Sequence, residues 1–296
     1  MPIRPKRIGK MTGDRTAIVH VGLPKTGTTT IQETLKRNRK TLARAGILLL
    51  APGPTSRRLP FVFCDTPERF LSRGEVWNRS PKAVERLRRS TLRGMERAAR
   101  RDDWQTMLLS AEGFFNLSET GLQALRAWLD GHVGTIRVIA WVRHPVSHTR
   151  SAIQEILKNG KTLDDLYDNP PVFRLNRLER IERILGPVEI HAYEECVRDG
   201  IVPSFLRAIG APDDLREAPS RNVSMTMEGA RAFDEINRRG RKLKWRELDR
   251  IIGMPGEPFD IPEAVKERIA QDAREHVAFV NERYGRDDYP DIFEGR

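Results

Sequence analysis

The chain has 296 residues, 39% of them hydrophobic and 31% charged, which is enough apolar sequence to bury the core of one large domain. The 52 lysines and arginines outnumber the 41 acidic residues and give a net charge of +11, which favours an anionic partner such as a nucleotide, an acidic glycan, a membrane surface or nucleic acid. Cys64 and Cys196 lie far apart and in no metal-ligand spacing, so neither a disulfide scaffold nor a zinc site is indicated.

The N-terminal segment, residues 1–15, is basic and polar and lacks the apolar run of a secretion signal. No stretch of the chain is apolar over the length that a membrane span needs. We therefore expect a cytoplasmic protein without a transmembrane segment, for which peripheral contact with a membrane stays open.

A strand, a glycine-containing turn and a helix follow one another at the start of the chain and are its most informative stretch. The β-branched run 16–21 predicts a buried parallel strand, and apolar residues return at helical spacing from Ile31 onward. Gly22 and Gly27 allow the backbone to turn tightly between them. Because threonine hydroxyls and free N–H groups gather at the helix start, the stretch predicts an anion-binding site backed by the helix dipole.

The turn departs from the loop of nucleoside triphosphate enzymes, in which lysine directly follows the second glycine. Here Thr28 follows Gly27, and Lys25 comes two places earlier. The run Pro24-Lys25-Thr26-Gly27-Thr28-Thr29 instead resembles the 5′-phosphosulfate loop of sulfotransferases that use 3′-phosphoadenosine 5′-phosphosulfate (PAPS). The resemblance implies that the cofactor-binding residues here are Lys25, Thr26, Gly27, Thr28, Thr29 and Thr30. Since Thr30 stands where cytosolic members often have a tryptophan near the adenine, adenine contacts are not carried over.

The next segments contain a second strand, an aperiodic stretch and a basic helix. Apolar residues 46–50 predict the strand, and residues 81–101 predict the helix, whose arginines form a solvated face or bind an acidic ligand. Residues 55–79 show no periodicity and predict a long surface loop.

A third strand, predicted over 106–110, ends in Ala111-Glu112-Gly113. Polar residues at the carboxyl end of a parallel strand lie where α/β proteins bind ligands. In the sulfotransferases this strand end carries the residue that deprotonates the acceptor hydroxyl, so the resemblance implies that Glu112 is the catalytic base. The alternatives are that Glu112 caps the following turn and that His20, which approaches the same mouth, is the base.

A fourth strand over 136–142 leads to a second motif, in which Arg143 is followed eight residues later by Ser151. Pro145 is suited to the first turn of the helix between them. This arrangement resembles the 3′-phosphate site of the same family, where arginine offers a planar fork of donors and serine adds a hydroxyl. The resemblance therefore implies a 3′-phosphate bound by Arg143 and Ser151.

The rest of the chain predicts a fifth strand over 188–193 between two helices, 173–185 and 200–209. After a proline-rich link, the segment around Arg221 resembles one that folds over the nucleotide in relatives, which makes Arg221 a further cofactor-binding candidate, with Asn222 and Ser224 beside it. Ser224 as a helix cap is the alternative. Three helices are predicted beyond it, over 225–239, 244–252 and 262–283.

The two motifs lie in the strand order that the sulfotransferases use, so the expected fold is a three-layer α/β sandwich. We expect a central, mainly parallel five-stranded sheet of the P-loop NTPase type plus C-terminal helices, in a single sulfotransferase domain over 1–296. The nucleotide-binding core covers 16–193, and 225–296 form a helical extension. The implied reaction transfers a sulfuryl group from PAPS to a hydroxyl of a small molecule or glycan, most simply a saccharide or glycolipid, without a metal and without nucleic acid. A P-loop kinase-like enzyme and a noncatalytic polyanion-binding protein are the alternatives.

Overall fold

The computed structural model of the protein describes residues 14–51, 56–67, 70, 80–171, 175–219, 224–241 and 245–284. A five-stranded parallel sheet lies at the centre, with the spatial order β2-β3-β1-β4-β5. Its strands are β1 (Thr16–Val21), β2 (Ile47–Leu50), β3 (Thr106–Ala111), β4 (Thr135–Val142) and β5 (Val188–Ala192). The predicted strands are confirmed, each within about one residue at either end, because each is a short, nearly continuous apolar run.

Fourteen helices surround or extend this sheet in the described part of the chain. The first seven are α1 (Thr28–Arg37), α2 (Arg39–Arg44), α3 (Arg58–Phe63), α4 (Pro81–Ala99), α5 (Glu119–Asp130), α6 (Pro145–Leu157) and α7 (Leu163–Asp168). The others are α8 (Arg177–Leu185), α9 (Tyr193–Arg198), α10 (Ile201–Ala208), α11 (Met227–Arg238), α12 (Trp245–Ile252), α13 (Glu263–Asp272) and α14 (Arg274–Tyr284). A short 3₁₀ helix, Glu112–Asn116, directly follows β3.

The two faces of the sheet are covered by different helices, which confirms the three-layer α/β sandwich. Alternate strand residues such as Val19 and Leu109 pack with α3, α4, α5 and α8 in one apolar cluster. Their neighbours Ile18 and Leu108 face the other way and pack with α1, α2 and α10. A parallel sheet buried on both faces requires apolar side chains at both alternations, which explains the continuous apolar runs of the strands.

The C-terminal helices form a third apolar cluster beside the sandwich. Phe233 of α11, Ile251 of α12 and Ile269 of α13 pack there against Ile153 of α6. The extension is therefore anchored on the helix that follows β4. Whether the chain is organised as a single sulfotransferase domain stays a prediction.

Two predicted elements differ from the structure. The aperiodic stretch 55–79 was expected to be a loop, yet it contains α3, in which every residue from Leu59 to Phe63 is buried. The predicted helix 262–283 is divided into α13 and α14 at Ala273. Among the described residues, no helix is both long enough and apolar enough to cross a membrane.

Candidate active site

The loop between β1 and α1 is held by its own threonines. The hydroxyl of Thr26 donates to the carbonyl oxygen of Leu23 at 2.8 Å, and the hydroxyl of Thr28 donates to the same oxygen at 3.3 Å. Both threonines are buried. Their hydroxyls thus brace the loop from inside, so any role of these two residues in anion binding falls to their backbone N–H groups.

Two residues of this loop have left-handed backbone conformations. Gly27 has φ +76°, where glycine is the favoured residue, but Lys25 has φ +63°, which is uncommon for a residue with a side chain. Gly27 is also the N-cap of α1 and provides no side-chain cap, and the first turn carries no acidic residue. The N–H groups of that turn therefore keep their partial positive charge for a bound anion.

Gly22 brings the loop against the end of β3. Its N–H donates to the carbonyl oxygen of Ala111 at 3.2 Å. A Cβ at Gly22 would lie 2.7 Å from Cγ2 of Thr28 and 3.2 Å from the backbone nitrogen of Glu112. Only glycine permits this approach, and it places Glu112 directly beside the loop that carries Lys25.

Arg143, at the end of β4, joins the first motif to the second. Its Nη1 donates to the carbonyl oxygen of Lys25 at 2.8 Å, and its Nε donates to the hydroxyl of Ser147 at 2.8 Å. The guanidinium also lies 4.8 Å from the centre of the Tyr193 ring and 3.9 Å from a carboxylate oxygen of Glu194. Burial lowers the pKa of Arg143 and raises that of Glu194, because each charge loses part of its hydration.

A cavity of about 260 Å³ brings together Lys25 and Gly27 of the first motif with Arg143 and Ser151 of the second. Sequence reasoning missed most of its other lining residues, which are Arg150, Gln154, Glu155, Lys158, Tyr193, Pro258 and Phe259. Ser224 also lines the cavity, whereas Arg221 and Asn222 lie outside the described residues. We call this space the lysine–arginine cavity.

The signal for several missed residues was helical spacing. Ser147, Glu155 and Lys158 lie four before, four after and seven after Ser151, so they share its face of α6. Nζ of Lys25 lies 3.5 Å from a carboxylate oxygen of Glu155. Glu194 had no such local signal, because its contact with Arg143 depends on the pairing of β4 with β5.

A second cavity, of about 980 Å³, has a different set of lining residues, among them Thr29 in the first turn of α1 and Glu112. We call it the Glu112 cavity. Glu112 is exposed to this space, while the protein packed around its other sides raises the pKa of its carboxyl group. The charges of Lys25 and Arg57 act in the opposite direction and lower that pKa. Glu112 is thus accessible and within the electrostatic range of Lys25.

His20 has a different position from the one that a base requires. The residue is fully buried, and its Nδ1 lies 2.8 Å from the hydroxyl of Ser110. Its ring contacts Trp141 and Phe205 in the apolar layer beneath the sheet. Burial lowers its pKa to about 3, and it lines neither of the two cavities. The structure therefore favours Glu112 over His20 as the candidate base.

Thr30 is half-buried in the first turn of α1 and lines neither cavity. Its predicted contact with the cofactor falls to its backbone N–H.

No family model matches the chain, and a search of curated proteins gave no match. Across the described ranges, no group of three or more histidine, cysteine, aspartate or glutamate residues is arranged to hold a metal ion.

Proposed function

We propose that the protein transfers a sulfuryl group from PAPS to the hydroxyl of an acceptor. The observation that carries the proposal is that two cavities with different chemistry are lined by the same short segment, residues 25–29. The lysine–arginine cavity contains Lys25, Arg143 and Ser151, and the Glu112 cavity contains Thr29 and a carboxylate. A donor nucleotide in the first cavity and an acceptor in the second would thus meet at this segment.

The residues of the lysine–arginine cavity fit a nucleotide with phosphate at two positions. Lys25, Arg143, Arg150 and Lys158 are cations, and Glu155 is the one carboxylate among the residues that line this cavity in the described part of the chain. Arg143 offers the planar fork of donors that suits a phosphate, and Ser151 adds a hydroxyl. Lys25 and the first-turn N–H groups of α1 would hold the phosphosulfate end, which supplies the sulfuryl group when the nucleotide is bound.

Glu112 is the proposed base. Its carboxylate faces the Glu112 cavity and would accept the proton of the acceptor hydroxyl, which makes the acceptor oxygen a stronger nucleophile. A pKa raised by the surrounding protein increases the basicity of the ionised carboxylate. Lys25 lines the other cavity, where its charge would stabilise the negative charge that develops on the departing phosphate oxygen.

The loop itself argues against the kinase-like alternative. In the nucleoside triphosphate loop, a lysine and then a serine or threonine that holds magnesium follow the second glycine. Here Thr28 occupies the lysine's place after Gly27, and its hydroxyl is used on the carbonyl oxygen of Leu23. Lys25 precedes that glycine and reaches toward Glu155. The positions of lysine and hydroxyl thus differ from those of the nucleoside triphosphate loop.

Calorimetry with 3′,5′-adenosine bisphosphate and with ATP–magnesium tests the proposal. We expect the bisphosphate to bind at least tenfold more tightly than ATP–magnesium. The opposite order would favour the kinase-like enzyme. Salt-sensitive binding of many polyanions, without preference for the bisphosphate, would favour the noncatalytic protein.

Transfer itself is measured with radiolabelled PAPS and a cell extract as the source of acceptors. We expect Lys25→Met to lower the rate by about a hundredfold or more, as is typical when a donor to the developing charge is removed. Lys40→Met is the matched control, because Lys40 is an exposed lysine of α2 outside both cavities. A Lys25→Met protein with the rate of Lys40→Met would overturn the role of Lys25.

A further inference from the structure

We propose that the acceptor is an acidic saccharide, bound in the Glu112 cavity with its anionic group on Arg57 and Arg180. The inference rests on the proposed function, since it names the acceptor class for the same reaction. It is carried by the composition of that cavity and by the pairing of its charged side chains.

The walls of the Glu112 cavity are mostly hydrogen-bonding. Hydroxyl groups of Thr29, Ser56 and Ser118 and the side-chain amides of Gln32 and Asn116 line it. Phe70 is the one aromatic residue among its described lining residues. A phenol or a steroid would be expected to bind among apolar and aromatic side chains, so this wall favours a ligand that carries many hydroxyl groups. The volume of about 980 Å³ is at the upper end for ligand sites and admits several sugar rings.

In the described part of the chain, the three arginines of this cavity form no ion pair with a carboxylate. Lys36, Glu33 and Asp65 also line the cavity, and each already has an interaction of its own. Arg57, Arg177 and Arg180 all line it. Arg177 donates to the amide oxygen of Asn116 at 2.7 Å and lies over the ring of Phe115, both of which are neutral. Within the described ranges, neither Arg57 nor Arg180 makes an ion pair or a side-chain hydrogen bond, and the buried Nε of Arg180 has no acceptor.

Glu119, a carboxylate whose pKa is lowered mainly by a hydrogen bond from Arg183 and also by the charge of Arg180, is already engaged. Glu119 accepts from Nη1 and Nη2 of Arg183, each at 2.9 Å, so both of its oxygens are occupied. Arg180 adds only a longer-range effect on the pKa of Glu119. Because a guanidinium with a buried, unpartnered nitrogen is costly, its presence at a cavity wall indicates an anionic ligand.

Arg57 connects this anion site with the base. Its charge lowers the pKa of Glu112, which places the two side chains within electrostatic range across the cavity. An acceptor that spans them would present a hydroxyl to Glu112 and a carboxylate or sulfate to the arginines. A saccharide that contains uronic acid or already carries sulfate has both groups on neighbouring atoms.

Three matched pairs of oligosaccharides test the inference, and the members of each pair differ at the carboxyl group, which is ionised in one and neutral or replaced by a neutral group in the other. The pairs are tetragalacturonate with its methyl ester, hyaluronan tetrasaccharide with its carboxyl-reduced form, and unsulfated chondroitin tetrasaccharide with its carboxyl-reduced form. Binding is measured by calorimetry with and without saturating 3′,5′-adenosine bisphosphate. We expect at least one acid to bind tenfold or more tightly than its neutral partner. If no acid is preferred in any pair, the inference is overturned.

Arginine variants show whether the preference arises in this cavity. Arg57→Gln and Arg180→Gln are each expected to reduce the preference to threefold or less. Arg93→Gln, which removes an exposed arginine of α4 outside the cavity, is expected to leave it unchanged. An acid preference that survives in the double variant Arg57→Gln/Arg180→Gln would overturn the inference.

The two proposals fail in different ways. Failure of the bisphosphate to bind would argue against PAPS as the donor, while the acid preference, measured without nucleotide, would still be decided. Normal binding of the bisphosphate with no acid preference would overturn the acceptor class alone.

Discussion

Arg143 offers the sharpest test of how the two motifs cooperate, because it binds the loop of one and belongs to the other. Its side chain is only 16% exposed and makes hydrogen bonds of 2.8 Å to Lys25 and to Ser147. A hydrogen bond from a charged donor contributes about 1.5 kcal/mol at the lower end, so Arg143→Ala should cost about 3 kcal/mol of unfolding free energy. For a chain of this size, that corresponds to a fall in apparent Tm of about 5 °C.

The same substitution removes the proposed fork for the 3′-phosphate. We expect the affinity for 3′,5′-adenosine bisphosphate to fall by about tenfold to a hundredfold, from the loss of one charge-assisted interaction of roughly 1.5–3 kcal/mol. Calorimetry at a temperature where the variant stays folded measures this change directly. Arg143→Lys should lie between the two proteins, because it keeps the charge and loses the fork.

Arg137 provides a matched control on the same strand. It pairs with Glu189 through two hydrogen bonds of 2.8 Å, but both side chains are well exposed, at 38% and 43%. Arg137 also donates to the carbonyl oxygen of Ala208 at 3.2 Å, so Arg137→Ala should cost about 1–2 kcal/mol of stability, and it should leave bisphosphate binding unchanged. If Arg143→Ala binds the bisphosphate within twofold of the parent protein, or if Arg137→Ala weakens binding equally, the reasoning is refuted.

Further predictions concern the base, the buried histidine and the glycines. Glu112→Gln should lower the rate of sulfuryl transfer by about 10²–10⁴-fold and leave bisphosphate binding intact. The rate of the parent protein should fall with decreasing pH, because the carboxyl group of Glu112, whose pKa is raised, takes up a proton. A Glu112→Gln protein with the parent's rate excludes Glu112 as the base. Burial lowers the pKa of His20 to about 3, whereas its unfolded-state pKa is about 6.5. As the pH falls from about 6.5 toward about 3, the unfolded state takes up a proton that the folded state does not, so the free energy of unfolding should fall by about 1.4 kcal/mol per pH unit. In His20→Gln, the slope of unfolding free energy against pH should be smaller by this amount. Gly22→Ala should cost about 1–3 kcal/mol of unfolding free energy, because the added Cβ clashes with Thr28. Gly94→Ala, in open space inside α4, should instead stabilise the protein by about 0.5–1 kcal/mol. If both variants shift the Tm in the same direction, the packing argument is contradicted.

The sequence predicts the strands of the sheet more closely than it predicts the helix α3. β1 and β3 were predicted closely because an apolar run bounded by polar residues is a local signal. α3 was missed because its residues from Leu59 to Phe63 are buried all round, so no polar face marks a helical period. Pro60 is compatible with this helix, because it lies in the first turn, where its missing N–H has no intrahelical partner in any case.

The candidate site shows the same division between local and distant signals. Lys25 and Ser151 were found because each belongs to a short motif at a strand-to-helix junction, and both line the lysine–arginine cavity. Glu194 and Arg180 lie in segments without such a motif. Glu194 contacts Arg143 only because the sheet order brings β5 beside β4, and Arg180 lines the Glu112 cavity because α8 packs against the 3₁₀ helix that follows β3. No local pattern in the sequence predicts either arrangement.

The backbone of Lys25 gives an independent reason to regard the loop as functional. A left-handed conformation costs a residue with a side chain about 1–2 kcal/mol, and glycine at this position would avoid that cost. The conformation is kept because Arg143 holds the carbonyl oxygen of Lys25 at 2.8 Å, while Thr26 and Thr28 hold that of Leu23. We therefore attribute the presence of a lysine, rather than a glycine, at position 25 to its ammonium group. This backbone directs the ammonium group into the lysine–arginine cavity, where it lies near Glu155. Because the residue that fixes the loop is also the proposed ligand of the 3′-phosphate, binding at that phosphate and placement of Lys25 at the reacting group depend on the same guanidinium.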